Sequence, residues 1–411
     1  MLVDIPDTVL IVGGGVLQVP AVRIAREMGL VTIVTDGSKE APAMSLADEA
    51  VVLDIFDSEG HQRLVEKLKA RYQLRGIFTE GADAEVTVAV TAAHAGLPGI
   101  PVEAALNTKN KRRMRACFDR VGIPNPRWVE VRSVKDGLLA ASRIGYPLMV
   151  KAVDNCGSRG TTRLDGPEGL DKAIEWASEH STTQSALLEE CFRGAEQSVE
   201  ILFDELGHCH RLNIVDRAFM SHKSYAVELG HVNPTGLEEK AQDTLFRVTE
   251  QAAGACGVRF GVFKADTIWT HHGPRILEVT ARLSGGFDCQ YTTPLSSGRN
   301  FIRAAMRLAV GLSLERDDLT RKWATFAAAW VAFPRPGLVE RIEGVEEARR
   351  LPGVKEVLLR VGVGDVIQPY TTCVTRPAFV IAVGATYSEA IHNAQAGAGA
   401  LRIETCPAVP V

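Results

Sequence analysis

Lys151 and the glycines that follow it are the first residues whose types and spacing suggest chemistry. Lys151 ends the run Tyr-Pro-Leu-Met-Val-Lys, and Gly157 and Gly160 come within ten residues of it. Glycine lets backbone amides approach phosphate oxygens closely, and a lysine neutralises their charge. Because no Gly-Lys-Ser/Thr follows, the segment is not a P-loop. It predicts a strand that carries a lysine and leads into a phosphate-binding loop; a surface lysine is the alternative.

Two carboxylates lie on neighbouring predicted strands later in the chain. Asp266 lies in the run 261–269 and Glu278 in the run 274–279, with Thr-His-His-Gly between them. Buried carboxylates are costly unless they meet a cation. Mg²⁺ takes few protein carboxylates and completes its shell with substrate phosphates and water. The pair therefore predicts a magnesium site, with ion pairs to Lys264 or Arg282 as the alternative.

Arg282 follows Glu278 by four residues and precedes Leu-Ser-Gly-Gly. A guanidinium forks onto carboxylate or phosphate oxygens, which suits an acyl phosphate. The glycines after it would let a substrate reach the backbone. With Lys151 and a magnesium ion, Arg282 could offset the repulsion between a carboxylate and a nucleotide's terminal phosphate.

The elements that must position these residues begin with an open α/β domain. An apolar strand at 8–12, a triple-glycine turn at 13–15, a helical pattern to Gly29 and a strand at 31–35 form a βαβ unit with a parallel sheet. A dinucleotide fingerprint needs a glycine where this chain has Gln18, which disfavours a nicotinamide nucleotide. The turn is interpreted as scaffold or as a carboxylate-binding turn.

The rest of the chain alternates between strands and helices. Strands are predicted at 186–190 and 196–203, a hairpin across 270–273, and short strands at 338–342, 354–359 and 379–383 before a final helix from Ser388 to about Leu401. We expect four domains, at 1–108, 109–185, 186–312 and 313–411. The basic run 107–115 is interpreted as a solvated helix face or a nucleic-acid patch, but it lacks interleaved aromatic residues.

Composition excludes several classes of protein. The 411 residues carry a formal charge of −4, so no basic field draws the chain to nucleic acid or to an anionic membrane. The eight cysteines are scattered without a CxxC pair, which disfavours zinc and a disulfide framework. The acidic start does not fit a signal peptide, and the apolar stretch 326–333 is too short to span a bilayer. We expect a cytoplasmic protein with no membrane partner.

Six segments together resemble the ATP-grasp enzymes. They are Lys-Arg-Arg-Met-Arg from Lys111, Pro-Leu-Met-Val-Lys to Lys151, the loop to Gly160, Glu189 to Glu196, Asp266, and Leu-Glu-Val-Thr-Ala-Arg to Arg282. They span about 107–312 in the family's order. The resemblance implies an α/β and α+β multidomain fold: an N-terminal open α/β pre-grasp domain, a two-subdomain ATP-grasp fold with an antiparallel sheet, and a C-terminal β-rich lid domain.

The resemblance also implies cofactors and their ligands. ATP is expected with Mg²⁺, or Mn²⁺, held by Asp266 and Glu278. Thr280 stands where many relatives have asparagine, so water would complete the coordination. Lys111 and Lys151 would contact the phosphates, and the glycine loop would close over them. The 189–192 segment would line the adenine edge, and Glu196 would bind the ribose hydroxyls. These nucleotide-binding residues are Lys111, Lys151, Gly157, Ser158, Gly160, Glu189, Glu190, Phe192 and Glu196.

A finer resemblance rests on Glu228-Leu-Gly-His231, which precedes Arg282 as in the L-amino-acid ligases. It implies that Glu228 and His231 face an amino-acid pocket and that Arg282 steadies the carboxyl phosphate. A loop histidine or a surface charge is the alternative for the first two. The expected activity is a carboxylate–amine ligase that forms an amide or peptide bond through an acyl phosphate and releases ADP and phosphate. Its partners would be a small-molecule carboxylate and an amine.

Three other functions stay open on the sequence. The first is an ATP-grasp carboxylase or purine-biosynthesis type of ligase, which uses the acyl phosphate differently. The second is a nicotinamide-nucleotide-binding regulatory protein built on the N-terminal domain. The third is an ATP-binding scaffold without turnover, which the intact Lys151, Asp266, Glu278 and Arg282 disfavour. Related enzymes are often dimers, which leaves a homodimer open.

Overall fold

The N-terminal part of the chain forms a four-stranded parallel sheet. The computed structural model describes residues 6–220 and 225–407. The strand order is β3-β2-β1-β4, and every pair is parallel. Its elements are β1 (Asp7–Val12), α1 (Val19–Glu27), β2 (Val31–Asp36), β3 (Glu49–Val52), α2 (Ser58–Lys69), β4 (Gln73–Phe78), α3 (Glu85–Ala95) and α4 (Val102–Lys109).

The triple-glycine turn after β1 is used within its own domain. The amide of Gly14 donates to the Oδ2 of Asp36 at 2.8 Å, at the end of β2. A Cβ on Gly14 would stand 3.0 Å from side-chain atoms of Asp36 and Met44, so only glycine fits this approach. The turn therefore binds a carboxylate, and that carboxylate belongs to the domain itself.

A small antiparallel sheet follows, with strand order β5-β8-β6-β7. Two helices cover one face of this sheet. Their side chains Ile144, Leu170 and Ile174 pack against Leu148, Val150 and Leu188 of the strands. The elements are α5 (Lys111–Val121), β5 (Trp128–Val131), α6 (Val134–Ile144), β6 (Leu148–Ala152), β7 (Thr161–Leu164), α7 (Leu170–Glu179) and β8 (Ala186–Glu190).

The next segment contributes five strands to the largest sheet, which is antiparallel throughout. Its order begins β13-β12-β9-β10-β11. The elements are β9 (Ala195–Phe203), β10 (Cys209–Phe219), β11 (Glu228–Asn233), α8 (Glu239–Cys256), β12 (Gly261–Thr270), β13 (Gly273–Thr280), a π-helical turn (Asp288–Thr292), α9 (Thr293–Ser297), α10 (Phe301–Ala309) and α11 (Arg316–Leu319).

Three C-terminal strands continue this same sheet, so it has eight strands and ends β11-β14-β18-β16. The remaining three strands form a small separate sheet of order β17-β15-β19. The elements are β14 (Phe326–Ala332), β15 (Gly337–Glu343), α12 (Val345–Arg350), β16 (Val354–Leu359), β17 (Val366–Ile367), β18 (Ala378–Gly384), α13 (Tyr387–Ala400) and β19 (Arg402–Cys406).

Helix α10 joins the parallel sheet to the largest sheet. Its buried Phe301 and Met306 belong to one core cluster with Val9 and Val22 of the N-terminal domain, and burying each such side chain is worth about 2 kcal/mol. A Cβ on Gly76 of β4 would lie 2.2 Å from the backbone oxygen of Ala309. This close packing positions the end of the parallel sheet against the elements that carry Arg282.

The fold class predicted from the sequence is confirmed. The parallel N-terminal sheet, the antiparallel grasp sheets and the β-rich C-terminal region are all present. Strand β8 has the bounds that the sequence predicted, and the hairpin turns at His271-His272. Within residues 6–220 and 225–407, no helix is both long enough and apolar enough to cross a membrane.

Candidate active site

One cavity of about 660 Å³ lies where the carboxyl edge of the parallel sheet, the two antiparallel sheets and the C-terminal domain meet. Thirteen of the fourteen residues predicted for the site line it: Lys111, Lys151, Gly157, Ser158, Glu189, Glu190, Phe192, Glu196, Glu228, His231, Asp266, Glu278 and Arg282. The fourteenth, Gly160, lies behind the wall, where a Cβ would stand 2.8 Å from that of Ala152. Its carbonyl accepts from the amide of Ala152 and thereby ties the glycine loop to β6.

The lysine end of the cavity, defined by Lys111, Lys151, Glu189 and Glu196, is a buried ion-pair network. The Nζ of Lys151 lies 2.7 Å from the Oε2 of Glu189, whose Oε1 accepts from the Nε of Arg115 at 2.7 Å. Burial alone would raise the pKa of Glu189, but Arg115 and Lys151 outweigh it and lower the pKa to about 2. The Glu189 side chain therefore holds the ammonium group of Lys151 in place at the cavity wall.

Lys111 belongs to the same network, although the basic run 107–115 was interpreted as a solvated face or nucleic-acid patch. That interpretation is wrong for Lys111 and Arg115, which are 3% and 0% exposed. The chain breaks at Asn110, whose side chain caps α5, and this new helix turns both residues inward. Lys111 donates to the Asn155 carbonyl and lies 2.9 Å from the Oε1 of Glu278.

Glu196 lies on β9 beside Arg217 of β10. Burial raises the pKa of Glu196 to about 7, an effect that the positive charge of Arg217 only partly opposes. The carboxyl group therefore changes charge close to neutral pH. A group of this kind accepts hydrogen bonds best when it is ionised.

The glycine-rich loop is contacted by two other parts of the chain. Gly157, Ser158 and Gly160 have positive φ values of 64°, 64° and 67°. The Ser158 hydroxyl donates to the carbonyl of Ala226 at 2.8 Å, and the amide of Cys373 donates to the carbonyl of Gly157 at 3.1 Å. The loop is thus placed between β11 and the C-terminal domain.

The two predicted metal ligands are directly opposite each other on paired strands. The Oδ1 of Asp266 lies 2.7 Å from Lys264 and 3.1 Å from Arg217, which confirms the alternative ion pair with Lys264. The described residues supply no hydrogen bond to the Oδ2 of Asp266 or the Oε2 of Glu278, and they contain no cluster of three or more His, Cys, Asp or Glu suited to a metal. Thr280 lines the same wall.

The arginine end of the cavity, defined by Asp83, Glu228, Arg282 and Arg376, joins three parts of the chain. The sequence left open an ion pair between Arg282 and the two metal carboxylates. The structure instead places Arg282 3.1 Å from the Oδ1 of Asp83, which follows β4. Asp83 also lies 2.7 Å from Arg159 of the glycine loop. Burial would raise the pKa of Asp83, but Arg282 and the neighbouring cations lower it well below its ordinary value.

Glu228 is held by two arginines from different elements. Its Oε1 lies 3.0 Å from Arg217 and its Oε2 lies 3.0 Å from Arg376 of the C-terminal domain. Burial opposes ionisation, yet the two guanidinium groups depress the pKa of Glu228 well below its usual range. A carboxylate held in this way is a poor proton acceptor, so the geometry disfavours Glu228 as a base.

His231 is 4% exposed, and burial lowers its pKa despite the nearby Asp288 and Glu228. Its Nε2 lies 3.1 Å from the hydroxyl of Thr292, which itself donates to the Oδ1 of Asp288 at 3.0 Å. Because that hydroxyl has one proton, Nε2 must be the donor to it. The neutral ring then carries its lone pair on Nδ1.

Three residues of the site were missed from the sequence, and a fourth was noted without a role. Arg115 lies four residues after Lys111 on one helix face, which is a usable signal. Asp83 follows a strand at the carboxyl edge of the parallel sheet, where ligands of such folds bind. Arg376 has no local signal. Arg217, whose role was left open, and Tyr225 line the cavity, whereas His222 lies outside the described residues.

Two segments of the chain match known domain families, and the fold matches solved structures. Residues 144–290 match the model of an ATP-grasp domain, and residues 329–405 match that of the L-amino acid ligase C-terminal domain 2. The crystal structure of an L-amino acid ligase from Bacillus licheniformis superposes with a TM-score of 0.82 at 22% identity, covering 98% of this chain and 99% of that one.

Curated relatives are more distant. An uncharacterized protein, y4rH, of Sinorhizobium fredii is 25% identical over 79% of this chain and 67% of its own length. A formate-dependent phosphoribosylglycinamide formyltransferase of a Synechococcus species is 24% identical over 97% of this chain and 98% of its own length. The matches to two further relatives span 49% and 60% of their lengths.

The fold and the two matched domains therefore place the chain among the ATP-grasp ligases. Within that class, residues 329–405 form a C-terminal domain of the L-amino acid ligase type.

Proposed function

We propose that this chain joins two amino acids, or a small carboxylic acid and an amino acid, into an amide through an acyl phosphate, releasing ADP and phosphate. The observation that carries the proposal is the convergence of Lys111, Lys151, Asp266, Glu278 and Arg282 on one cavity. Cations at this point offset the repulsion between a carboxylate and a terminal phosphoryl group. The matched C-terminal domain favours amino acids as the substrates.

ATP fits the lysine end. Lys111 and Lys151 are held by the part-exposed Glu278 and the buried Glu189 with their ammonium groups at the wall, so they are preorganised to meet phosphate oxygens. The backbone of residues 189–192 and Phe192 supply a flat edge for adenine, and Glu196 supplies acceptors for ribose hydroxyls. Ser158 and the neighbouring glycines would donate backbone amides to phosphate.

Mg²⁺ fits the paired carboxylates, because each of Asp266 and Glu278 has one oxygen without a hydrogen bond from the described residues. Two protein carboxylates are what this ion commonly takes when phosphates and water supply the remaining ligands. When bound there, Mg²⁺ supplies charge neutralisation at the phosphate oxygens.

Arg282 binds the transferring phosphoryl group and the carboxylate that receives it. Its charge is held near the cavity by Asp83, which fixes the fork without occupying the whole guanidinium. In the second half-reaction the amine nitrogen forms a bond to the acyl carbon, the carbon–oxygen bond to phosphate breaks, and phosphate leaves. The proton from the amine passes to the Nδ1 of His231.

The test is a screen of amino-acid pairs with ATP and Mg²⁺, followed by phosphate detection and the mass of the product. We expect ADP, phosphate and an amide of the two amino acids. AMP with pyrophosphate, or phosphate release that no amino acid stimulates, would contradict the proposal.

A ligase of the purine-biosynthesis type is the second candidate, favoured by the full-length match to the formyltransferase. It would use a phosphoribosyl amine and formate or bicarbonate in place of two amino acids. Phosphate release that depends on phosphoribosylglycinamide and formate would establish this candidate over the first.

We also propose a homodimer, since a structurally similar carboxylase domain is described as a dimer. Light scattering should give twice the 44.4 kDa of one chain. The mass of a single chain across the micromolar range would contradict this.

A further inference from the structure

The charges at the arginine end do not balance. Among the described residues, every lysine and arginine lining the cavity except one has a carboxylate oxygen within 3.1 Å. The exception is Arg360, which follows β16 in the C-terminal domain. The donors of a guanidinium next to a cavity are satisfied by an anion or by water, and only an anion also offsets the charge.

Arg360 stands beside a second arginine. Its NH1 donates to the carbonyl of Val374 at 3.1 Å and to that of Arg376 at 3.5 Å. Arg360 is exposed to solvent, and partial burial of its guanidinium together with the charge of Arg376 lowers its pKa. Arg376 shares the single carboxylate of Glu228 with Arg217. Arg217 also contacts Asp266, so of these three guanidinium groups only that of Arg360 has no carboxylate partner among the described residues.

An opening lies next to this pair of arginines. A Cβ built on Gly286 would meet only the NH2 of Arg376, at 3.9 Å, and the Oε2 of Glu228, at 4.0 Å. Gly286 comes four residues after Arg282, so the same loop borders both the phosphoryl-transfer point and the arginine pair. A small molecule in this opening can reach the guanidinium of Arg376 with one end and the region of Arg282 with the other.

We propose that Arg376 and Arg360 bind the carboxylate of the amine substrate, which makes that substrate an α-amino acid. This assignment rests on the proposed ligase function. The activated carboxylate becomes an uncharged acyl group at Arg282 and cannot remain the partner of a second arginine pair. The amine substrate keeps its own carboxylate throughout, so it supplies the missing negative charge. His231, three residues after Glu228, lines the same cavity and takes the proton.

Arg360 determines specificity for the amine substrate and takes no part in phosphoryl transfer. Its removal should therefore change the KM for the amine without changing kcat. The acceptor amines L-alanine, L-alaninamide and 1-aminoethylphosphonate share a side chain and differ only in the anionic group. They are varied at saturating ATP, Mg²⁺ and donor amino acid in the full chain, with Arg360→Gln as the variant. Arg341→Gln is the matched control, because Arg341 is a C-terminal-domain arginine paired with Glu404, away from the cavity wall.

We expect Arg360→Gln to raise the KM for L-alanine about tenfold, the worth of one charge-assisted hydrogen bond, with kcat little changed. The KM for L-alaninamide should start high and stay the same, and Arg341→Gln should match the unmodified chain. An equal change for L-alanine and L-alaninamide, or no change, would overturn the proposal. Preferential use of 1-aminoethylphosphonate would also overturn it, because the site would then serve a phosphate-bearing amine.

A binding measurement keeps the inference separate from the ligase function. If no pair of amino acids releases phosphate, the ligase function fails, and calorimetry of L-alanine and L-alaninamide still tests the site. Carboxylate-dependent binding that Arg360→Gln loses and Arg341→Gln keeps supports the arginine site. Binding of both probes that ignores Arg360, or no binding of either, overturns it.

Discussion

The two ends of the cavity are built on different principles. At the lysine end, Lys111, Arg115 and Lys151 each pair with a carboxylate, and the group is closed by contacts among α5, β6, β8 and β13. At the arginine end, Asp83, Arg282 and Arg376 come from the parallel-sheet domain, the loop after β13 and the C-terminal domain. Arg360, which lies beside this end, has no carboxylate partner among the described residues.

This difference indicates which end is general and which is specific. A matched network is rigid before the ligand arrives, which suits a nucleotide that does not change between relatives. The arginine end is assembled from three parts of the chain. Its residues can therefore differ between related proteins through changes in loops and adjacent domains, while the largest sheet stays the same. Substrate selection is therefore expected at the arginine end, and the following changes test that division.

Arg282→Ala should have the largest effect on activity, because Arg282 is the group assigned to both the transferring phosphoryl group and the carboxylate. Phosphate release that depends on amino acids should fall by about a thousandfold or more, as for other preorganised charge-stabilising donors. ATP affinity, measured by calorimetry, should change less than about threefold. Near-normal turnover would show that Arg282 has no role in the mechanism. It would also contradict the division between the lysine end and the arginine end.

Arg115→Met should have the largest effect on stability, since it leaves Glu189 buried beside Lys151 alone. Losing one partner of a fully buried pair costs about 4 kcal/mol of unfolding free energy. Urea denaturation would measure it. Arg112→Met on the same helix is the control, because Arg112 is exposed and should change stability by less than about 0.5 kcal/mol. Equal effects in the two variants would mean that the lysine end is not a buried network.

Asp83→Asn should affect catalysis more than nucleotide binding. The amide cannot hold the guanidinium groups of Arg282 and Arg159 by charge, so Arg282 becomes less well placed and kcat should fall about tenfold. The KM for ATP should stay within about twofold. Asp243→Asn, at an exposed pair with Arg211 away from the cavity wall, is the matched control. A raised KM for ATP with an unchanged kcat would assign Asp83 to the lysine end instead.

Glu196→Gln should have the smallest effect, visible only as a pH dependence. With a pKa of about 7, Glu196 is mostly protonated at pH 6 and ionised at pH 8, so ATP affinity should rise a few-fold across that range. Calorimetry at several pH values should show this rise in the unmodified chain and a flat profile in the variant. A rise that survives in Glu196→Gln would contradict its assignment to ribose.

The raised pKa of Glu196 also has a consequence for folding. Because the folded pKa lies above the ordinary 4.5, the protonated form is favoured in the folded chain. Its contribution to stability is therefore present at low pH and is lost as pH rises from about 4.5 to 7. Denaturation of Glu196→Gln should lack this component, and an unchanged pH profile would show that Glu196 does not titrate there.

Local patterns account for the parts of the structure that the sequence predicted. The strand that ends in Lys151, the hairpin between Asp266 and Glu278, and the glycine turn after β1 each depend on neighbours within about ten residues. Hydrophobic periodicity and turn residues act over that range, so these elements could be predicted without knowing which distant residues they contact. The motif order from Lys111 to Arg282 was sufficient to predict that these residues share a site.

The partners of those residues could not be predicted in the same way. Arg282 and Asp83 are 199 positions apart, and Arg376 and Glu228 are 148 apart. Glu228 could be placed near an amino-acid pocket, but its two arginines, and hence its low pKa, could not. The inward orientation of Arg115 depended on a helix break at Asn110 that the basic run concealed.

By itself, the sequence predicted the two carboxylates suited to magnesium from residue type and short spacing, and its resemblance to the ATP-grasp enzymes implied the fold class and the nucleotide-binding residues to test. Only the tertiary structure decided which charges meet. Ion pairing depends on side-chain positions set by the packing of separate sheets, and one guanidinium among many is indistinguishable in a sequence. Arg360, which has no carboxylate partner within residues 6–220 and 225–407, could therefore be singled out only after the ion pairs of the other cavity-lining cations were known.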